Sequence, residues 1–562
     1  MIKIFKCKPL NPCVNYIFTF DTTCAKLYHI VMYETLSKED ILSKFAIADV
    51  KATQQAYNEA IDLYKDIIEN TDNYSQLVNA YNKIGNIYYK INDFDNAIWA
   101  FENVLNFCTN IANIYNMLGY LYFHKDIDKS IKYYLKEMEL KPDIKIFILL
   151  TQIMIKSAEY SQKDLKNIFE KYVDILRPSI LKGVEPYQYS NKFFDKYKKL
   201  KIGYLSSSFY YNSMMSYVLP IIENHNLNEF DITLYSCSNI KDSVTQRLTE
   251  TGVEYKNCYG LTNKEIAKKI HDDNVDILVD LDGYTHSKQT IWTLLYKPAP
   301  IIIQYSNSSG TYGMKEIDYI LTDKFTVSGR EEKYYTEKPI HIKSGMNKFT
   351  LPIKEQQLPQ ITPLPFEQNE YITFGCFNSL SKINIFTLNL WSKVLKAVLT
   401  SKILICKPQM EEKDITRLQK IFEENKIKPE RIIFDKQFDL NSPMSNYLKC
   451  DIALDTTPFS DITTSIEQAF MGVPTLTLYK DTFSSKGTAR INKIIGLKDF
   501  IAKNEEDFVN KAVKVSHNIE KLKFYRRNLP TIVEKSSLCN DFKDFTQQIE
   551  NEYKTVWKKF CK

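Results

Sequence analysis

Neither a Cys-x-x-Cys pair nor any regular cysteine spacing occurs in this chain, although it holds 11 cysteines. An odd count at scattered positions argues against a disulfide framework and a structural zinc site, and it fits a reducing compartment. Long apolar runs are lacking too. The apolar stretches at 18–20 and 30–32 fall far short of a bilayer-crossing length, and no leader-like apolar core with a small-residue cleavage site follows the opening lysines. We therefore expect a cytoplasmic protein, with the nucleus as a second location, and no membrane partner. Histidine is sparse: His29, His124, His225, His271, His286, His341 and His517 show no metal-ligand spacing. Neither charge sign is in excess. The 74 Lys+Arg and 68 Asp+Glu leave a net +6 and are interspersed, which gives no case for a nucleic-acid partner. Glycine is rare at 15 residues, against abundant Lys, Asn, Ile and Tyr, a drift that blurs motifs.

What is present points to several domains. A chain of 562 residues exceeds one hydrophobic core, and its 44% hydrophobic and 25% charged fractions are those of an ordinary globular protein. The segment AYNKIGNIY at 80–88 is followed by DFDNAI at 93–98 and Phe101; 34 residues after Gly85 comes Gly119, within YNMLGYLY at 115–122, followed by Ser130, Ile131, Tyr134 and Pro142. This spacing, with a small residue where two helices touch and aromatics between units, resembles the tetratricopeptide pattern. Tyr57, Ala60, Ile61 and Tyr64 suit the second helix of a preceding unit. From residue 201 the texture changes to short apolar runs at 201–206, 230–236, 275–280, 300–305 and 319–322, separated by helix-length segments. After a proline-rich break at 358–365 a second set follows, at 371–377, 402–406, 431–434, 451–454 and 475–478. Two such alternations imply two doubly wound parallel sheets side by side, with ligands expected at the carboxyl ends of their strands. We divide the chain into an N-terminal extension at 1–45, repeats at 46–160, a helical connector at 161–199, a first lobe at 200–355 and a second lobe at 356–562.

Several stretches, weak singly, are specific in their order: KIGYLSS at 201–207, DILVDLDGYT at 276–285, PAPIIIQ at 298–304 with GTYG at 310–313 and IDYI at 317–320, and in the second lobe FNSLSK at 377–382, DTTPF at 455–459 and TTSIEQAFMGVP at 463–474. With the repeats, they resemble the O-GlcNAc transferase and Spindly-type O-fucosyltransferase family from about residue 50 to the end. The resemblance implies an α + α/β chain, tetratricopeptide repeats before a two-lobed GT-B (twin Rossmann-like) region. It implies an enzyme that transfers a sugar, GlcNAc ahead of others, from a nucleotide-sugar donor to Ser or Thr of proteins. The transfer would be inverting and metal-independent, with no cofactor and with UDP-GlcNAc favoured over GDP-fucose as donor. Acceptor proteins or peptides would be held through the repeats.

The same resemblance assigns the site. Lys382, after the Phe-Asn of the loop, is the catalytic residue: a fixed ammonium stabilises the charge that develops on a departing diphosphate. Asn378 and Ser379 precede it as donor-binding residues. Thr463 and Thr464 would contact the diphosphate at a helix start, and Glu467, one turn on, the ribose hydroxyls. The threonines also suit a helix cap, with Glu467 in the manner of a capping box. Phe438 lies in the stretch expected to hold the nucleotide base. The chain departs from the family pattern in four places. No histidine follows SSF at 207–209; 305–309 reads YSNSS where a glycine-containing aromatic loop is usual; FDLNSPM at 438–444 lacks the expected basic residues; and Ile462 stands where histidine is frequent. These departures bear on turnover and donor identity, and the alternative is a catalytically degraded repeat scaffold that keeps a nucleotide-diphosphate site. Asp280 and Asp282 form a D-x-D sequence, but they end a first-lobe strand away from the expected diphosphate, so no metal role is assigned. His286 is the histidine nearest the expected cleft.

Overall fold

The computed structural model describes residues 37–123, 125–190, 194–285, 290–305, 310–351, 358–408, 410–439 and 442–562. Two compact units result, one ending at Thr109 and one spanning Asn110–Lys562. The described part of the first unit is helical: α1 (Lys38–Thr53), α2 (Tyr57–Glu69), α3 (Tyr74–Lys90) and α4 (Phe94–Phe107). Side chains that accept N–H bonds start three of them: Ser37 in a capping box for α1, Asn73 for α3 and Asp93 for α4. Ala60, Ile61, Tyr64, Ala80 and Ile84 build its core. At Gly85 a Cβ would come within 2.7 Å of the Phe101 ring, so the glycine sets the approach of α3 to α4.

The second unit opens with α5 (Ile114–Tyr122), α6 (Ile127–Leu140), α7 (Ile144–Met154) and α8 (Gln162–Leu181). The same device recurs. A Cβ at Gly119 would meet the Tyr134 ring at 2.7 Å, and Ser130 Oγ donates to the Gly119 carbonyl at 2.6 Å. α1 begins inside the expected N-terminal extension, and α8 lies in the expected helical connector, with Phe169 and Tyr172 buried beside Phe147 of α7 and Trp292.

Two wholly parallel sheets follow. The first lobe contains β1 (Leu200–Ser206), α9 (Met215–Ile222), β2 (Phe230–Ser236), α10 (Ser243–Thr249), β3 (Glu254–Asn257), α11 (Asn263–Asp272), β4 (Ile277–Asp280), β5 (Ile301–Gln304), β6 (Tyr319–Thr322) and β7 (Lys338–His341), with strand order 3-2-1-4-5-6-7. The second lobe contains α12 (Phe366–Asn369), β8 (Thr373–Cys376), α13 (Ile385–Ala397), β9 (Lys402–Cys406), α14 (Glu412–Glu424), β10 (Ile432–Asp435), β11 (Ile452–Leu454), α15 (Ile462–Phe470), β12 (Thr475–Leu478), α16 (Gly487–Ile494), β13 (Ile501–Ala502), α17 (Glu505–Ser516) and α18 (Ile519–Lys535), with order 10-9-8-11-12-13. The buried central strands are the ones that the apolar runs mark. The apolar runs do not mark β3, β7 and β13; all three are sheet edges, and β3 buries none of its residues while β7 buries only Ile340, so neither forms an apolar run.

The last helix, α19 (Phe542–Phe560), follows the second lobe in sequence but belongs to the first lobe's core, where Phe545, Ile549, Tyr553 and Trp557 pack with Leu200, Ile202 and Phe230. Its Tyr553 hydroxyl lies 3.1 Å from that of Tyr204, and Glu550 lies 3.0 Å from His225 Nδ1. The expected assignment of all of 356–562 to the second lobe therefore fails for this helix. Among the described residues no helix is long and apolar enough to cross a membrane.

The contacts at Gly85 and Gly119 yield a prediction. Removing a helix-interior glycine gains up to about 1 kcal/mol of helix propensity, whereas overpacking a filled contact costs about 1–3 kcal/mol. Gly85→Val and Gly119→Val should each destabilise the protein on balance, read as a lower urea midpoint.

Candidate active site

The loops at the carboxyl ends of β8 and β11, next to each other where the strand order reverses, meet around one buried carboxylate. Asp455, 2% exposed, closes β11. Its Oδ1 accepts the N–H groups of Thr456 at 2.9 Å and Asp461 at 3.2 Å and lies 3.5 Å from Asn378 Nδ2; its Oδ2 accepts the Thr477 hydroxyl at 2.8 Å. Asn378 also donates to Thr456 Oγ1 at 2.9 Å. Of the expected donor residues, Asn378 is thus buried and braces the loop, while Ser379 is exposed, with its hydroxyl 3.1 Å from that of Ser381.

A short turn, Leu380–Lys382, aims Lys382 at the start of α15. Its Nζ lies 2.9 Å from Asp461 Oδ2 and 4.5 Å from the centre of the Phe459 ring. Burial pushes the Asp461 carboxyl up, but the Lys382 ammonium, the Lys407 charge and the Thr464 hydroxyl outweigh it and hold the group below the usual carboxylate range. Asp461 is the N-cap residue of α15, yet its side chain accepts no capping bond, so the first N–H groups of the helix are not closed off by a side-chain cap. The cap reading of the threonines is corrected here. Thr463 and Thr464 are the second and third residues of the helix, and Glu467 lies too far along it to complete a capping box.

Thr463 Oγ1 lies 2.9 Å from the hydroxyl of Tyr217, which α9 brings from the first lobe. Glu467 accepts the Tyr447 hydroxyl at 2.5 Å; burial raises its carboxyl above the usual range, with the Tyr447 bond opposing. Thr463, Thr464 and Lys382 thereby lie at the start of α15, with Glu467 further along the same helix. Phe438 is packed half-buried against the second lobe's apolar core. His286 lies outside the described residues.

Asp461, Tyr217, Tyr447 and Lys407 were not singled out from sequence. Asp461 had a visible signal, an acid between the DTTPF and Thr-Thr segments; Tyr217 comes from the other lobe and had none. In the first lobe, Asp282 accepts the hydroxyls of Ser206 at 2.6 Å and Ser207 at 2.7 Å and the Ser207 N–H at 2.6 Å, while Asp280 accepts the Gly283 N–H at 2.9 Å. The D-x-D pair is engaged in holding loops.

Burial pushes the Asp455 carboxyl up to about 6, against the bonds from Thr477 and the Asp461 N–H. Since the folded value exceeds the unfolded one, the stability this group contributes is complete below about pH 4 and is lost as pH rises through about 6. Asp455→Asn keeps a carbonyl acceptor and cannot ionise. The stability of the wild type relative to Asp455→Asn should fall by about 2–3 kcal/mol between pH 4 and 7. Denaturant unfolding at the two pH values checks it, and a constant difference contradicts it.

A model of glycosyl transferase family 41 matches residues 166–349 and 363–549, and a tetratricopeptide repeat model matches 78–108. The chain is 28% identical over 370 residues to the Solanum lycopersicum protein named "Probable UDP-N-acetylglucosamine–peptide N-acetylglucosaminyltransferase SPINDLY", which covers 65% of this chain and 39% of the relative. A protein of the same name from Eustoma exaltatum subsp. russellianum is 30% identical over 376 residues, covering 66% of this chain and 40% of the relative. The chain thus spans about two fifths of the length of these curated relatives. A mutant form of the Thermobaculum terrenum O-GlcNAc transferase shares the fold, with a TM-score of 0.71 at 22% identity over 93% of this chain and 98% of that one. With its repeats, its two parallel sheets and a family match that runs through both lobes and across the loops around Asp455, the chain belongs to glycosyltransferase family 41, the family of the O-GlcNAc transferase and SPINDLY type.

Proposed function

We propose that this chain transfers a sugar from a nucleoside-diphosphate sugar to Ser or Thr hydroxyls of proteins, with inversion and without a metal. The observation that carries the reading is the Lys382 ammonium at the side-chain-uncapped start of α15. The acceptor oxygen forms a bond to the anomeric carbon as the bond from that carbon to the β-phosphate breaks, and the hydroxyl proton leaves to solvent. Negative charge grows on the departing diphosphate, where an ammonium and helix N–H groups stabilise it without a metal ion. Thr463 and Thr464 would bind the diphosphate and Glu467 the ribose; Asn378 would hold the loop and Ser379 line its rim. The names of the relatives carry UDP-N-acetylglucosamine, which supports UDP-GlcNAc as donor. The helical repeats would hold the acceptor proteins. The eight described cysteines are all free, which supports a reducing, cytoplasmic or nuclear setting.

Calorimetry with UDP, GDP, UDP-GlcNAc and GDP-fucose tests the donor site, and failure to bind any of them overturns it. Lys382→Met should lower transfer at least about 100-fold, the size of losing one preorganised donor to a developing anion. Asp461→Asn frees Lys382 from its carboxylate and should tighten diphosphate binding by about threefold to tenfold; weaker binding would show that Asp461 positions the lysine.

A further inference from the structure

The turn between α7 and α8 reaches both lobes. Gln152 Nε2, near the end of α7, donates to the Tyr284 carbonyl of the first lobe at 2.7 Å. The second lobe grips the following residues. Ser484 Oγ donates to the Ile155 carbonyl at 3.3 Å, Asn384 Nδ2 to the Lys156 carbonyl at 2.8 Å, and the Phe483 N–H to Gln162 Oε1 at 3.1 Å. Asn384 Nδ2 also donates to the Thr457 carbonyl at 2.9 Å, which ties the turn to the Asp455 loop.

This clamp delivers an amine. Lys156 Nζ donates to Ser381 Oγ at 3.0 Å, on the residue next to Lys382. Burial, and then the Lys382 charge, lower its ammonium to about 8. Among the described residues no carboxylate pairs with Lys156, whereas Lys382 has Asp461 at 2.9 Å. Two cations thus meet at one loop with one carboxylate, which Lys382 already holds. A half-buried like-charged pair is costly unless an anion of more than one charge joins it, and a nucleoside diphosphate is such an anion.

We propose that Lys156, carried in by the repeat helices, is a second cationic group of the donor site and contacts the phosphates of the nucleoside diphosphate. The inference rests on the donor-site reading above. Lys382, already engaged with Asp461, leaves part of the diphosphate charge unmatched, and Lys156 supplies the remainder. The donor site is then composite, with one lysine from the second lobe and one from the repeats.

Calorimetry with UDP and GDP on the full chain tests it. For whichever diphosphate the wild type binds, Lys156→Met should weaken affinity about tenfold, the size of one charge-assisted hydrogen bond. Lys156→Arg, which keeps the charge, should stay within about threefold, and the melting midpoints should match. Unchanged affinity in Lys156→Met overturns the proposal, as does an equal loss in both variants with a lowered melting midpoint, which would mark a merely structural residue. Should Lys156→Met fail to fold, Lys156→Gln is measured against the same outcomes. Absence of any diphosphate binding by the wild type sinks the donor-site reading itself, a result distinct from a silent Lys156.

Discussion

The buried Asp455 carboxylate is the point on which the candidate site depends. It ends β11, and its two oxygens gather groups from the β8 loop, from its own loop, from the residue that starts α15, and from β12. A carboxylate out of water is tolerated where its acceptor capacity is met by donors. The donors that meet it here are the ones that fix the loop of Lys382 and the entry to α15. Lys382 and Thr463 are thus positioned around a carboxylate that is itself buried.

The two lobes meet through several polar contacts. Tyr217 of α9 reaches Thr463; Lys486, just before α16, lies 2.6 Å from Glu331; and Arg490 of α16 donates to Thr326 Oγ1 at 2.9 Å with Asp323 at 3.6 Å. The Arg490 guanidinium is buried, so its partners matter more than those of a surface pair. α19 adds an apolar tether, because the chain leaves the second lobe and buries Tyr553 and Trp557 under the first. The start of α15 therefore faces residues from the first lobe as well as its own.

Much of this was legible in the sequence. Buried parallel strands have both faces covered, so β2, β6, β9 and β12 appear as apolar runs at their observed bounds. Gly85 and Gly119 mark helix contacts that leave no room for a side chain, which is why a 34-residue spacing survives in a glycine-poor chain. The edge strands β3 and β7 are silent, since β3 buries no residue and β7 only Ile340, too little for an apolar signature. The sequence pattern suits a cap at the threonines because hydroxyls serve equally inside a first turn, and only the backbone shows that Ile462 opens the helix.

By itself the sequence determined the order of elements, the alternation that makes two parallel sheets, the helix-touching glycines, and which segments carry Lys382, Thr463 and Glu467. These follow from local periodicity and from motifs whose residues lie close along the chain. The tertiary structure alone decided that Asp461 occupies Lys382, that Tyr217 meets Thr463, that α19 returns to the first lobe, and that Lys156 stands beside the Lys382 loop. Each of these joins residues from 79 to more than 200 positions apart. Pattern along a chain fixes which face of an element is apolar, but which distant side chain fills a given polar vacancy is settled only when the elements pack.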